Sequence, residues 1–214
     1  MEKSEFDKMI MYENTHWWYT ARRELLVQLI PQKVKTIFEI GTGSGRNLLE
    51  FKKNGFNVEG LEIDKEAAAE AKKRKLKVHC KPIEKFTFQK KYDLILMADV
   101  LEHIEKDEET LKTINKNLEK NGYILITVPA FQSLYSVHDE LCHHYRRYGK
   151  KELVTKLQKA GFKIEQITYW NFFLFPIIAL FKILKKNSKN ADSDISETPE
   201  PINSLLKFLL IKIG

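Results

Sequence analysis

The chain has 214 residues, 43% of them hydrophobic, and its 36 basic against 29 acidic residues give a net charge of +7. That is apolar material for one good core, so one domain with decorations is expected rather than two. The lysines are spread through every segment instead of forming a basic stripe, and Cys80 and Cys142 fit no zinc or disulfide pattern, which together argue against a nucleic-acid partner and for a reducing cytoplasm.

The opening MEKSEFDKMI lacks the apolar stretch of a signal peptide, so export is not expected. HWWYTARR at 16–23 then packs a histidine, three aromatics and two arginines into eight positions. Neighbours on a helix are turned about 100° apart, so Trp17 and Trp18 cannot share a face and something must cover one of them.

From residue 35 onwards, short apolar runs rich in β-branched residues alternate with amphipathic stretches, the pattern of βαβ units and a largely parallel sheet. The strands expected are VKTIFEI from Val34, FNVEGLEI from Phe56, LKVHC from Leu76, YDLILM from Tyr92 and YILITVP from Tyr123. Helices are expected near 46–53, 65–74 and 107–119, the last with Leu111, Ile114 and Leu118 on one face. Asn54-Gly55 and Asn121-Gly122 read as helix-to-strand turns. A helix over 150–160 ends at Gly161, and FKIEQITYW over 162–170 reads as a further strand, with its alternation slipping at Gln166.

EIGTGSGRN, Glu39 to Asn47, follows a strand and opens a helix, so backbone N–H groups face a ligand without Cβ obstruction. The dinucleotide fingerprint GxGxxG would need a third glycine at position 46, where Arg46 stands; here the third is Gly45. Glu62 in GLEID lies about 20 residues beyond Gly41, where an acid can accept from both ribose hydroxyls of any adenosine-containing ligand.

With EIGTGSG at 39–45, GLEID at 60–64, YDLILMADVLEHI at 92–104 and NGYILITVP at 121–129, the chain resembles the class I S-adenosylmethionine-dependent methyltransferases from about Trp17 to about Trp170. The resemblance implies an α/β, Rossmann-like, doubly wound sheet of seven mostly parallel strands with an antiparallel last edge. That edge is expected to be lacking or cut off here, because the chain stops at Gly214. It implies S-adenosyl-L-methionine as cofactor, with Gly41 and Gly43 lining the methionine moiety, Glu62 on the ribose, Ile63 on the adenine face, Ala98 meeting the cofactor from beyond the fourth strand, and Glu39 among the cofactor-binding residues. Where the family often carries an Asp for the adenine amino group this chain has Pro82, so backbone groups near Ile83 are expected to serve.

The organisation expected is an N-terminal helical lid over 1–33, a cofactor-binding core over 34–170, and an apolar helical extension over 171–214 with an exposed linker at 185–201. In this fold the helix before the first strand can lie across the cofactor pocket. Tyr19 is then expected to face the pocket, and Arg22 or Arg23, Arg23 before Arg22, to meet the methionine carboxylate.

Methyl transfer from a sulfonium needs positioning above all, but a hydroxyl acceptor profits from a general base. His103 in DVLEHI and His144 are the catalytic candidates. Asp99, Glu102 and His103 resemble the E-x-x-E-H metal triad of some methyltransferases, and on a helix they would share one face; a metal, a base at His103 and a plain structural turn are all compatible with the motif, and no metal is expected. The long loop 131–153 follows the fifth strand, where open α/β sheets place ligands. Its H-x-R-R-Y motif, with HWWY near the N-terminus, resembles a subgroup from glycan, lipid and secondary-metabolite pathways. His138, Arg146, Arg147 and Tyr148 are the acceptor-binding candidates, the arginines suited to an acidic or phosphate-bearing acceptor.

WNFFLFPIIALFKIL, Trp170 to Leu184, falls short of the roughly 20 residues that span a bilayer. It reads either as a hydrophobic cover or, over 170–186, as a peripheral membrane contact. The expectation is therefore a cytoplasmic enzyme, membrane-associated on the second of these readings. It would methylate, at oxygen, a small or lipid-linked acceptor. A nicotinamide oxidoreductase and a non-catalytic cofactor-binding or membrane-surface module are the alternatives, and the oligomeric state is left open.

Overall fold

The computed structural model describes residues 10–170, 175–176 and 198–213. Its contacts divide the chain into two compact units: Ile30–Pro129 with Tyr148–Glu165, and Met1–Leu29 with Ala130–Arg147 and Gln166–Gly214.

The first of these holds a five-stranded sheet in the order β3-β2-β1-β4-β5, formed by Thr36–Ile40 (β1), Asn57–Glu62 (β2), Val78–Cys80 (β3), Tyr92–Ala98 (β4) and Leu118–Thr127 (β5). Every pairing is parallel. Parallel strands need crossovers, and the α/β alternation of the sequence supplies them. In chain order α1 (Trp17–Leu29) precedes β1, and α2 (Arg46–Lys53), α3 (Lys65–Lys73) and α4 (Asp107–Lys116) lie between strands. The core gathers Phe38, Ile40, Leu61, Ile95, Met97, Leu101, Leu111 and Ile114, all nearly or fully buried. Each such side chain removed from water contributes about 1.5–3 kcal/mol. Phe38 also stacks on Phe86 and packs against Phe88 and Tyr92.

Glu59 of β2 is a buried carboxylate held by Lys77 at 2.9 Å and by His79 at 2.7 Å. Burial alone would raise its pKa, but hydrogen bonds from Lys77, His79 and Tyr92 outweigh that and lower it to about 2.

Three expectations are corrected here. Leu118 does not complete the face of α4: Asn117 ends that helix, its side-chain amide donating back to the Thr113 carbonyl, and Leu118 opens β5 opposite Tyr92. Asn121-Gly122 therefore sits inside β5. The register runs from Tyr92↔Leu118 to Leu94↔Tyr123, so residues 119–122 bulge opposite Asp93, with Asn121 at φ 62°. The stretch 162–170 is not a strand. Phe162 and Ile164 pack against the core, but no ladder partner stands beside them among the described residues. After α4, the next long helix of this unit is Lys150–Lys159, which starts at Gly149 and ends at Ala160.

The second unit joins α1 to the loop after β5 and to the C-terminal helix Glu200–Ile213. Asn203 of that helix accepts from the Trp17 backbone N–H at 2.7 Å and donates to the Thr15 carbonyl at 2.9 Å, and Lys207 pairs with Glu24 at 3.3 Å. The question raised by two adjacent tryptophans is answered within this unit. Trp18 packs on Trp170 at 4.4 Å between ring centroids, while Trp17 is turned edge-on to Trp18 and lies beside His16. Ile202, Leu205 and Phe208 of the C-terminal helix are each more than half exposed. Most of the apolar stretch 170–186 and the linker 185–201 lie outside the described residues. Among the described residues no helix is long and apolar enough to cross a membrane.

Candidate active site

In the order 3-2-1-4-5, β1 is flanked by strands whose crossovers lead in opposite directions, and open α/β sheets place their ligands at the carboxyl ends of the strands at such a switch point. The glycine loop sits there. Gly41 and Thr42 donate to the Leu61 carbonyl at 2.8 and 3.2 Å, pinning the loop to the end of β2. Gly41 has φ +73°, and a Cβ there would stand 2.4 Å from Val100 Cγ2, so only glycine lets the loop close against the segment after β4. Glu39 is fully buried and accepts from the Asn47 side chain at 2.7 Å, tying β1 to the first turn of α2. That helix begins without a side-chain cap on Gly45, so its first amides point into the loop region.

Glu62 is 7% exposed, and each of its oxygens accepts one backbone N–H: Gly43 at 2.6 Å and Asp64 at 2.9 Å. Burial raises its pKa, an effect only partly offset by those amide hydrogen bonds. Two carboxylate oxygens, each with acceptor capacity beyond one amide, suit a pair of adjacent hydroxyl donors. Ile63, the next residue, is 68% exposed, an apolar face beside the acid. These residues fit an adenosine-type ligand: an acid for the vicinal hydroxyls and an aliphatic surface for a flat base. Ala98 ends β4, nearly buried and paired with Thr127. The Ile83 side chain is in the core, which leaves its backbone as the part able to meet a ligand.

His103 is exposed at the end of the short turn Leu101–His103, just beyond β4. The helical face expected for Asp99, Glu102 and His103 does not form. Asp99 has φ 57°, outside the turn, and is tied to β5, its N–H donating to the Thr127 carbonyl at 3.0 Å and its carboxylate accepting from Thr127 Oγ1 at 2.9 Å.

In the second unit, the loop after β5 is organised by Asp139, a residue given no role from sequence. It lies on the short helix Val137–Leu141, is fully buried, and accepts from His144 Nδ1 at 2.8 Å, Arg147 Nε at 2.8 Å and the Ser136 N–H at 2.9 Å. Burial would push its carboxyl up, but the hydrogen bonds from His144 and Arg147 hold it well below the usual range. The one legible signal was Ser136 three residues before Asp139, a capping-box spacing. Tyr135 donates to the His144 carbonyl at 2.7 Å, and the His144 N–H donates to the Asp139 carbonyl at 2.8 Å. His138 lies 3.6 Å from the Cys142 thiol, and the Arg146 guanidinium covers the Tyr145 ring at 5.6 Å.

Three of the residues expected at ligand contacts lie in the protein interior, with partners of their own. Tyr148 is buried in the sheet unit, where its hydroxyl donates to Asp107 at 2.8 Å beside the Leu101 carbonyl; it is a core tie, placed there by the apolar neighbours of its ring. Arg147 is 8% exposed, and besides its bond to Asp139 it donates to the Ala130 carbonyl at 3.3 Å, so its charge is matched inside its own loop. Arg23 is likewise buried and donates to the Glu13 carbonyl at 2.8 Å instead of presenting its guanidinium at the surface. Tyr19 lies near the Arg22 guanidinium and the His16 ring.

A parallel sheet with a glycine loop after β1 and a buried acid ending β2 defines a Rossmann-like enzyme for an adenosine-bearing cofactor. The chain belongs to the family described as Methyltransferase domain, whose model matches residues 13–167. The family is one of methyltransferases, which sets aside the nicotinamide oxidoreductase, and S-adenosylmethionine is the adenosine-bearing cofactor that goes with it. The chain is 32% identical to a ubiquinone biosynthesis O-methyltransferase from Pelagibacter ubique, over 45% of this chain and 42% of that one, so it spans less than half the length of that relative. It is 22% identical to the ubiquinone biosynthesis O-methyltransferase of Rickettsia bellii, over 78% of this chain and 84% of that one. A solved S-adenosylmethionine-dependent methyltransferase from Thermotoga maritima shares the fold, with a TM-score of 0.61, 23% identity, and coverage of 75% and 77% of the two chains.

Proposed function

We propose that this methyltransferase acts at a hydroxyl oxygen of a small or lipid-linked acceptor. The observation that carries the reading is the His144 ring, fixed at Nδ1 by the buried Asp139 carboxylate on the loop that follows β5. A histidine so held is suited to take a proton from a hydroxyl, worth about 10²- to 10⁴-fold in rate. His103, exposed after β4, is the second candidate for that role. The relatives named for ubiquinone biosynthesis act, by that name, at oxygen, which supports the same chemistry here. Arg146 and His138 are assigned to acceptor recognition. The exposed Ile202, Leu205 and Phe208 favour an acceptor with an apolar tail.

Glu39, Gly41, Gly43, Glu62, Ile63, Ile83 and Ala98 are assigned to the cofactor. When bound, S-adenosylmethionine supplies a methyl group on a sulfonium sulfur, which keeps the electron pair of the broken bond. Glu62 would hold the ribose, the glycine loop would admit the amino-acid end without Cβ obstruction, and the histidine would take the acceptor's proton.

The test is methyl transfer from isotopically labelled S-adenosylmethionine to catechol, and to farnesyl-catechol presented in phosphatidylcholine vesicles. O-methyl products, with the farnesylated acceptor preferred, are expected. Products labelled only at nitrogen or carbon, in a wider amine and enol panel, would contradict the reading.

A further inference from the structure

Resting on the reading of His144 as a base, we propose that Asp139 is a positioning residue that fixes the tautomer of His144, placing the proton on Nδ1 and the reactive lone pair on Nε2. Asp139 is fully buried, and its carboxylate oxygens together accept from His144, Arg147 and Ser136. An ionised carboxylate can only accept, so the 2.8 Å contact with Nδ1 requires that nitrogen to donate. The low titration range of Asp139 agrees with ionisation throughout the physiological range.

The rest of the loop makes this one arrangement. Tyr135 holds the His144 carbonyl at 2.7 Å and Asp139 holds the His144 N–H at 2.8 Å, so the backbone on which the imidazole is mounted is fixed at both groups. Arg147 does a different job. Its Nε meets the same oxygen, Oδ1, as His144 Nδ1, while its own N–H donates to Gln132 Oε1 at 2.8 Å and its Nη1 to the Ala130 carbonyl. The guanidinium supplies the countercharge of Asp139, so the carboxylate can orient a neutral imidazole without needing an imidazolium to balance it. During turnover the acceptor's hydroxyl proton passes to Nε2, giving an imidazolium still bonded to Asp139, and the proton then leaves to water. Nothing is oxidised or reduced.

The experiment is ¹⁵N-detected NMR of the histidine rings in the full chain, assigned with His144→Asn, together with catechol turnover. The wild type is expected to show His144 protonated at Nδ1 and unprotonated at Nε2, and Ser136→Ala, which removes the hydroxyl of the capping box and its 3.2 Å contact to Asp139 but leaves the backbone N–H bond to that carboxylate, to keep that state. Asp139→Asn is expected to lose the single tautomer and to lower kcat roughly 10²-fold while KM stays within about twofold. A wild-type spectrum with the proton on Nε2 overturns the proposal even if Asp139→Asn does not fold. A proton on Nδ1 with catechol turnover unchanged in His144→Asn overturns instead the base reading on which the proposal rests. Turnover that vanishes on dialysis against EDTA and returns with a divalent cation also overturns it, since the Nε2 lone pair would then serve a metal.

Discussion

The Glu62 carboxylate accepts the Gly43 amide at 2.6 Å, so the end of β2 and the glycine loop after β1 are joined by one charge-assisted bond. The same carboxylate is buried, and burial pushes its pKa up. A carboxyl whose folded pKa lies above its unfolded value costs stability while both states are ionised; the cost is relieved as pH falls through the raised folded value. Wild type is therefore expected to gain stability relative to Glu62→Gln on acidification below neutrality, as followed by thermal melts without ligand. S-adenosylhomocysteine affinity should fall over the same range in wild type.

Gly41→Ala places a Cβ 2.4 Å from Val100 Cγ2 at a φ of +73°. A left-handed non-glycine residue costs about 1–2 kcal/mol before any clash. The expected outcome is a destabilised chain with cofactor affinity down at least tenfold, because the loop must move away from the end of β4. Melting temperature and calorimetry on the same sample check both.

Tyr148→Phe should cost about 1–3 kcal/mol, because the buried Asp107 loses its hydroxyl donor and keeps Lys156 at 2.9 Å. Acceptor KM is expected not to change. A raised KM at unaltered stability would return Tyr148 to the acceptor site.

Neighbouring arginines are expected to separate cleanly. Arg147→Ala leaves the buried Asp139 without its countercharge and should cost about 3–5 kcal/mol. Arg146→Ala is expected to leave stability within about 0.5 kcal/mol and raise KM for an anionic acceptor. Urea melts and acceptor kinetics on the two single variants decide it.

The cofactor half of the site was legible because it is local. A glycine loop between strand and helix, and an acid at the end of the next strand, are read from spacing alone, and β1, β2 and β4 fell within two residues of where alternation put them. What was not legible depends on partners distant in sequence. FKIEQITYW has a strand's composition but no neighbouring strand to pair with among the described residues. Asp99 was set on a helix by the motif, whereas Thr127 holds it off one. RRY looked like exposed ligand-binding chemistry until Asp139 neutralised one arginine and Asp107 took the tyrosine hydroxyl.

Glu59, held at about 2 by Lys77, His79 and Tyr92 despite its burial, gives the opposite pH signature to Glu62. Its folded pKa is depressed, so it contributes stability above its unfolded value of about 4.3, and that contribution is lost as pH falls towards 2. Glu59→Gln should be less stable than wild type at pH 7, with the gap closing across that acidic window in circular-dichroism titrations.

The most direct measurement is calorimetry of the wild type and Glu62→Ala with S-adenosylhomocysteine and with NAD. The structure predicts binding heat for S-adenosylhomocysteine in wild type, affinity at least about tenfold weaker in Glu62→Ala, and no heat with NAD. Heat with NAD and none with S-adenosylhomocysteine, or equal S-adenosylhomocysteine affinity in the two proteins, would contradict the site described for the glycine loop and Glu62.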